Sequence, residues 1–162
     1  ALELSAAPFG WVDAVFGYAV HWLERADGAS EVHGSFSGGL SRALTPDLRL
    51  RAGFARKLRL PSVQQLYDTL SGDPALAPER AMTYELGAEY AGLAPAMLGL
   101  TLFRSDVDNF IDRDPVTEEF ANNQRFRFQG LELAARAALA GGRELAASWS
   151  YLHARDRSDT SL

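Results

Sequence analysis

The sequence has no cysteine, only three histidines, and no uninterrupted apolar run approaching the ~20 residues that a membrane-crossing helix needs. The first absence excludes disulfides, thiolate metal sites and cysteine nucleophiles. His21, His33 and His153 stand in separate segments without ligand spacing, so they give no metal-site signature. The missing apolar run excludes a helical span but not a β-barrel, whose signal is alternation rather than continuous hydrophobicity. Excess positive charge is also lacking: the net charge of -5 offers no footprint for nucleic acid. With 47% hydrophobic and 23% charged residues the composition is ordinary, so fold class rests on pattern.

The pattern is alternation. Val12, Ala14, Phe16, Tyr18, Val20 and Trp22 predict a long strand over residues 11–23. Leu40 and its neighbours, then Leu48, Leu50, Ala52 and Phe54 after Thr45-Pro46-Asp47, predict a hairpin. Tyr84, Leu86, Ala88 and Tyr90 alternate most cleanly, and AGLAPA turns the chain into Leu98, Leu100 and Leu102, with a phase break at Phe103 and Arg104. In residues 125–139, Phe126 and Phe128 keep one phase while Leu131, Leu133 and Ala135 keep the other. Gly130 at the slip predicts a β-bulge. Helix propensity competes in the LELAARAALA stretch. Gly141-Gly142 leads to a last strand through Leu145, Ala147, Trp149 and Tyr151. The expected fold is all-β: an antiparallel meander of about seven long strands with a short helix near residues 62–68.

Connections alternate in length. Short ones (ALTPD, AGLAPA, AGGR) take turns with long ones, residues 57–80 and 112–124. In a meander every second connection lies at the same end, so one end carries tight turns and the other long polar loops, as in outer-membrane barrels. A soluble β-sandwich, for example a carbohydrate-binding module, also has strands with one apolar face.

Residue chemistry adds little beside this. Glu85 and Glu89 share a face but lie about 13 Å apart at strand rise, beyond glycosidase spacing. Asp106, Asp108, Asn109 and Asp112 have a calcium-like density without the glycine and distal glutamate of an EF-hand loop; the Asp106/Asp108 pair also permits a hydrolase reading. Arg49, Arg51, Arg56, Lys57 and Arg59 form a basic strip suited to a hydrated wall, an anionic ligand or lipopolysaccharide phosphate. Tyr18, Trp22, Trp149 and Tyr151 suit either an aromatic girdle at a membrane interface or a buried core.

Several blocks in order carry a family resemblance. LTPDLRLRAGFARKLRLPSVQQLYD (residues 44–68), GDPALAPERAMTYELGAEY (72–90), LTLFRSDVDNFI (100–111), NNQRFRFQGLELAARA (122–137) and SWSYLHARD (148–156) together resemble the carboxy-terminal barrel of TonB-dependent outer-membrane receptors. Asp73 replaces the family's usual Asn before the first proline of the second block. The resemblance implies a transporter rather than an enzyme, located in the Gram-negative outer membrane. It further implies uptake of a scarce chelate such as a ferric siderophore or cobalamin, with energy from TonB. Residues 62–72 lack the histidine of the haem-uptake members, which disfavours haem. No cofactor is implied, and no ligand-contact residue can be assigned. Residues 1–162 are expected to be one part of a barrel, without the plug domain through which TonB acts and without the remaining strands. The apolar face would meet lipid in the intact parent, and the isolated fragment in water is expected to self-associate.

Overall fold

The computed structural model describes residues 2–6, 11–24, 28 and 30–158. Eight strands form one antiparallel sheet in sequence order: β1 (Leu2–Ala6), β2 (Asp13–Glu24), β3 (Ser30–Thr45), β4 (Leu48–Arg59), β5 (Glu79–Leu93), β6 (Ala96–Arg113), β7 (Phe120–Leu139) and β8 (Arg143–Asp156). Helix α1 (Val63–Tyr67) lies between β4 and β5. The first strand is one more than alternation predicts, because five residues are too few to establish a period. No second sheet packs on the first among the described residues, which overturns the sandwich reading. The LELAARAALA stretch is part of β7, so pairing on both sides prevails over helix propensity.

The strands of 12 to 20 residues after β1 exceed the ~9–11 needed to cross a bilayer. Among the described residues no helix is long and apolar enough to cross a membrane, which says nothing of a barrel. Cross-strand neighbours in an antiparallel sheet share a face. One face therefore gathers Leu40, Ala52, Leu86, Leu102, Leu131 and Tyr151 in a single register row, each the lateral neighbour of the next. We call this face outward. The opposite, inward face carries Ser41, Arg51, Gly87, Thr101, Glu132 and Ser150, again neighbour to neighbour.

The apolar window on the outward face does not follow the register rows. On β2 it runs from Ala14 to Trp22, whereas on β8 it runs from Leu145 to Tyr151. Traced through the pairings, Tyr151 is level with Ala14, so the window slides by its own height across the sheet. A flat apolar layer crossing tilted strands leaves this signature, and barrel strands tilt by about 35–45°.

Both phase breaks in the sequence have one cause, and it is not a bulge at Gly130. Phe103 pairs with Gly130 and Gly130 with Leu152 without any shift of register. Beyond the window the two faces exchange polarity: Arg104, Asp106 and Arg127 turn outward while Phe103, Phe126 and Phe128 turn inward. The glycine is needed for closeness, since a Cβ there would run into the Tyr151 carbonyl and lie 2.9 Å from the Phe103 ring. The true bulge lies in β6, where the register shifts between Val107 and Phe110 and Asn109 takes φ 56°, a left-handed value that Asn tolerates. The bulge lets Phe110 join Phe126, ring centroids 5.0 Å apart, and Phe126 stacks on Phe128 at 5.9 Å.

Candidate functional site at the long-loop end

Residues 60–78 and 114–119 connect β4 to β5 and β6 to β7, at the same end of the sheet. The second connection is shorter than the 112–124 loop expected from sequence, because β6 and β7 continue pairing through bulges into that stretch. Among the described residues the buried hydrophobic core, Leu66, Leu76 and Ile111 with Phe120 against them, sits here and not under the sheet.

Local chemistry explains the order of the long loop. Ser62 and Gln65 form a reciprocal capping box: the Gln65 N–H donates to Ser62 Oγ at 3.2 Å and the Ser62 N–H to Gln65 Oε1 at 3.0 Å. Asp68 Oδ1 accepts from the Leu70 and Ser71 N–H groups, 2.8 and 3.2 Å. These bonds favour the charged form and hold the Asp68 carboxyl below its usual range. Asp73 Oδ1 accepts from the Ala75 N–H at 2.8 Å, so aspartate here makes the turn that asparagine would make. In the other loop Asp114 Oδ1 accepts from the N–H groups of Val116 (2.8 Å) and Thr117 (3.1 Å) and is likewise held low.

Three ties bind the loops to each other and to the sheet. Glu79, 7% exposed, receives Arg59 Nε at 2.6 Å and Arg59 Nη2, and its Oε1 also takes the Ile111 N–H at 2.8 Å. The Asn122 side chain accepts from the Ala77 N–H (2.6 Å) and donates to the carbonyls of Ala77 (3.0 Å) and Asn109 (2.8 Å). The Phe120 N–H donates to the Ser71 carbonyl at 2.8 Å, and Arg113 Nη2 reaches Ser71 Oγ at 3.2 Å. Arg59 and Glu79 are 20 residues apart and Asn122 is farther still, so periodicity could not reveal these ties. The one signal in the sequence is the pair Pro74 and Pro78, which fixes the backbone of the long loop just before the chain re-enters a strand. Above this braced base, Val63, Leu70 and Val116 are strongly exposed, at 76%, 89% and 88%.

The residues singled out by sequence are distributed over both faces. Glu85 and Glu89 face inward, level with Phe103 and Gly99. Asp106 and Asp108 face outward among arginines, with Arg127 Nε 2.6 Å from Asp106 and Arg125 Nε 3.5 Å from Asp108. That removes the paired-carboxylate reading, because both carboxylates already serve as counter-ions. Asp112 instead accepts the N–H of Arg113 next to it. His21 and His33, distant in sequence, are direct cross-strand neighbours on the inward face. His21 Nε2 is 2.9 Å from Ser35 Oγ and His33 Nε2 is 2.9 Å from Glu31 Oε2, while His153 lies on the outward face. No cluster of three metal-ligating side chains exists among the described residues.

The basic strip is split by the pleat. Arg49, Arg51, Lys57 and Arg59 take the inward phase and Arg56 the outward one. Arg49 Nη1 lies 3.5 Å from Asp13 Oδ2, and Arg51 Nη2 donates to Thr101 Oγ1 at 2.7 Å by lying over Gly87, where a Cβ would be 2.6 Å from Arg51 Cγ. The sheet thus combines a polar inward wall, an apolar outward window and a braced loop end.

The family model described as "TonB dependent receptor-like, beta-barrel" matches residues 13–162. The chain belongs to the TonB-dependent receptor barrel family. Barrels of this family are transport receptors of the Gram-negative outer membrane, not enzymes.

Solved structures agree in fold with this TonB-dependent receptor barrel. "Copper transporter OprC" is 19% identical, with a TM-score of 0.78 over 97% of this chain and 28% of its own. The ferripyoverdine receptor of the outer membrane of Pseudomonas aeruginosa is 16% identical, TM-score 0.73, over 96% of this chain and 22% of its own. The siderophore receptor PirA from Pseudomonas aeruginosa is 18% identical, TM-score 0.70, over 94% and 39%. The chain thus spans between about a fifth and two fifths of these receptors. The aromatic residues Tyr18, Trp22, Trp149 and Tyr151 are all exposed on the outward face of this TonB-dependent receptor barrel.

Proposed function

We propose that this chain is a portion of the barrel of a receptor that takes up a scarce metal chelate, a ferric siderophore or cobalamin, with energy supplied through TonB acting on a plug domain outside these residues. The observation that carries the reading is the oblique apolar window on a sheet whose other face is polar and whose long-loop end is braced. A wall between lipid and a hydrated lumen needs all three. The similar structures include a copper transporter, a ferripyoverdine receptor and a siderophore receptor, which supports a chelated metal as cargo here.

The arrangement assigns roles without covalent chemistry. The inward ladder of Arg49, Arg51, Glu85, Glu89 and Glu132 faces the lumen and would contact the plug. The exposed apolar tips at Val63, Leu70 and Val116 would meet cargo from outside. Residues 62–72 contain no histidine, which favours a siderophore or cobalamin over haem.

The test uses the full-length receptor in a host deprived of its own uptake receptors. Ferric siderophores, cobalamin and haem are each supplied as sole source, with and without TonB. TonB-dependent growth on one of the first two is expected. Growth on all three alike, or growth independent of TonB, would overturn the reading.

The 162-residue chain made alone has two open sheet edges, β1 and β8, and an uncovered apolar face. In water without detergent it should sediment as dimers or larger species; a monodisperse monomer would contradict the assignment of this face to lipid.

A further inference from the structure

Away from the braced loops, the inward wall brings together side chains that the transport reading leaves unused. His21 of β2 and His33 of β3 are direct cross-strand neighbours, which sets their Cβ atoms about 4.5–5.5 Å apart. Glu31 and Ser35 flank His33 on the same face, opposite Leu23 and Ala19. Register alone assembles this group, at the end of β2 and β3 nearer the long loops.

Each imidazole is held by a side chain of β3. His33 Nε2 lies 2.9 Å from Glu31 Oε2, and because a carboxylate only accepts, a proton sits on Nε2 between them. His21 Nε2 lies 2.9 Å from Ser35 Oγ. The two rings therefore lean to opposite sides of their own pair, and His21, His33 and Glu31 do not converge on one point as they stand. Convergence requires rotation of the His21 side chain and no movement of the strands, since the two residues are already opposite one another. The bond given up is a single one to a hydroxyl.

Two adjacent imidazoles and a carboxylate suit a particular class of ion. Imidazole binds Cu2+, Ni2+ and Zn2+, and mixed nitrogen and oxygen donors favour the tetragonal ions Cu2+ and Ni2+. Donors held at ~2.0–2.2 Å from one ion and at right angles stand about 3 Å apart. An ion can thus replace the proton between His33 Nε2 and Glu31 Oε2 with little displacement of either group. Partial burial steadies the pair, the His33 side chain being 14% and Glu31 36% exposed. Lys57 shares a groove with His21 and Ser35, and its charge favours a cation on the Glu31 side of the histidines.

We propose that His21, His33 and Glu31 form a site for a divalent transition-metal ion on the inward wall, with Cu2+ held tightest in keeping with the general order of affinity among such ions. His33 binds the ion through Nε2 in its other tautomer, with the proton on Nδ1, and water completes the coordination. The ion would tie β2 to β3 near their long-loop end. The inference goes beyond the uptake reading and is independent of it, because it uses the register of two strands and not the identity of the cargo.

The test takes the full-length receptor in dodecyl maltoside with Cu2+ alone as probe. Electron paramagnetic resonance should show coupling to two imidazole nitrogens, falling to one in His21→Gln. By calorimetric titration the affinity should drop more than about tenfold in His21→Gln and in His33→Gln. Ser35→Ala, which releases His21, should bind at least as tightly as the native protein, and His153→Gln, on the outward face, should bind as the native protein does. If a variant loses the heat-resistant gel mobility of a folded barrel, the native receptor decides: Cu2+ should shield His21 and His33, but not His153, from diethyl pyrocarbonate, as mapped by mass spectrometry. Undiminished affinity with unchanged nitrogen coupling in His21→Gln/His33→Gln, or modification of His21 and His33 at the same rate with and without Cu2+, would overturn the site.

Discussion

Two regions of this chain obey opposite rules. Within the apolar window, Leu86, Leu102 and Leu131 face outward and are 60%, 46% and partly exposed, while Arg51, Glu85 and Thr101 face inward. Beyond it, at the long-loop end, Arg104, Asp106 and Arg127 face outward, and Phe103, Phe126 and Phe128 face inward. A soluble sheet keeps one polarity per face along its whole strand. Here the polarity of a face changes with height, which shows that the surroundings, not the sheet, decide it. An outward face that meets lipid at the window and water at the long-loop end, as proposed above, would account for the change.

The sharpest way to break that comparison is to put one charge on each face at the same height. Leu133 faces outward between Leu100 and Trp149, and Ala134 faces inward between Gly99 and Ser148. Leu133→Arg should cost about 2–4 kcal/mol in reversible folding of the full-length receptor into lipid, against about 0–1 kcal/mol for Ala134→Arg. Equal costs would show that the outward face does not meet lipid.

A second substitution addresses the brace. Glu79→Ala leaves the Ile111 N–H unpaired and Arg59 without its carboxylate. The pair is half-buried, Glu79 within and Arg59 about half exposed, so water recovers part of the loss. A local cost of about 2–3 kcal/mol is expected, read as lost hydrogen-exchange protection at Ile111 and through residues 60–78, with the window strands unchanged. Loss of protection spread evenly over the sheet would mean that the loop end is not a separate unit.

Asn122→Ala removes three hydrogen bonds at once. About 1–2 kcal/mol of local stability should go with them, because Ala77 and Asn109 can turn partly to water. Proteolytic nicking near residues 74–78 should accelerate, and Asn122→Asp, which keeps the acceptor alone, should restore only part of the protection.

The smallest effect is a pH dependence. Folding lowers the pKa of both Asp68 and Asp114, so the unfolded loops bind more protons than the folded ones. Their stabilisation is present above the ordinary carboxylate value of about 4 and is lost as pH falls through the lower folded values. Loop protection measured from neutral pH downward should decline below that point, and should decline less in Asp68→Asn/Asp114→Asn. An unchanged decline in the double variant would place the acid-sensitive group elsewhere.

Much of the fold was legible because period-2 alternation is dictated by the pleat. Tyr84, Leu86, Ala88 and Tyr90 placed β5 without help, and the alternation of turn lengths placed the two ends. The failures come where that rule depends on surroundings. Gly130 marked a genuine reversal of phase, but the reversal belongs to the edge of the apolar layer, and the extra residue of a bulge sits at Asn109 instead. β6 and β7 run past their expected ends because backbone pairing needs no apolar side chains to continue. Of the long-loop site, the prolines announced a rigid loop. The Arg59–Glu79 tie and the Asn122 clip were hidden, since contacts across 20 and 45 residues leave no period. The meeting of His21 with His33 was hidden for the same reason, as it depends on register alone.

The tie between Arg59 and Glu79 joins the two feet of residues 60–78. It turns that segment from a tether into a closed ring whose shape is set before anything arrives. A guest settling on Val63 or Leu70 would then meet a surface already ordered, and little of its binding energy would be diverted to freezing the host. Rigidity at the foot of the loop is in this sense a property of affinity as much as of stability.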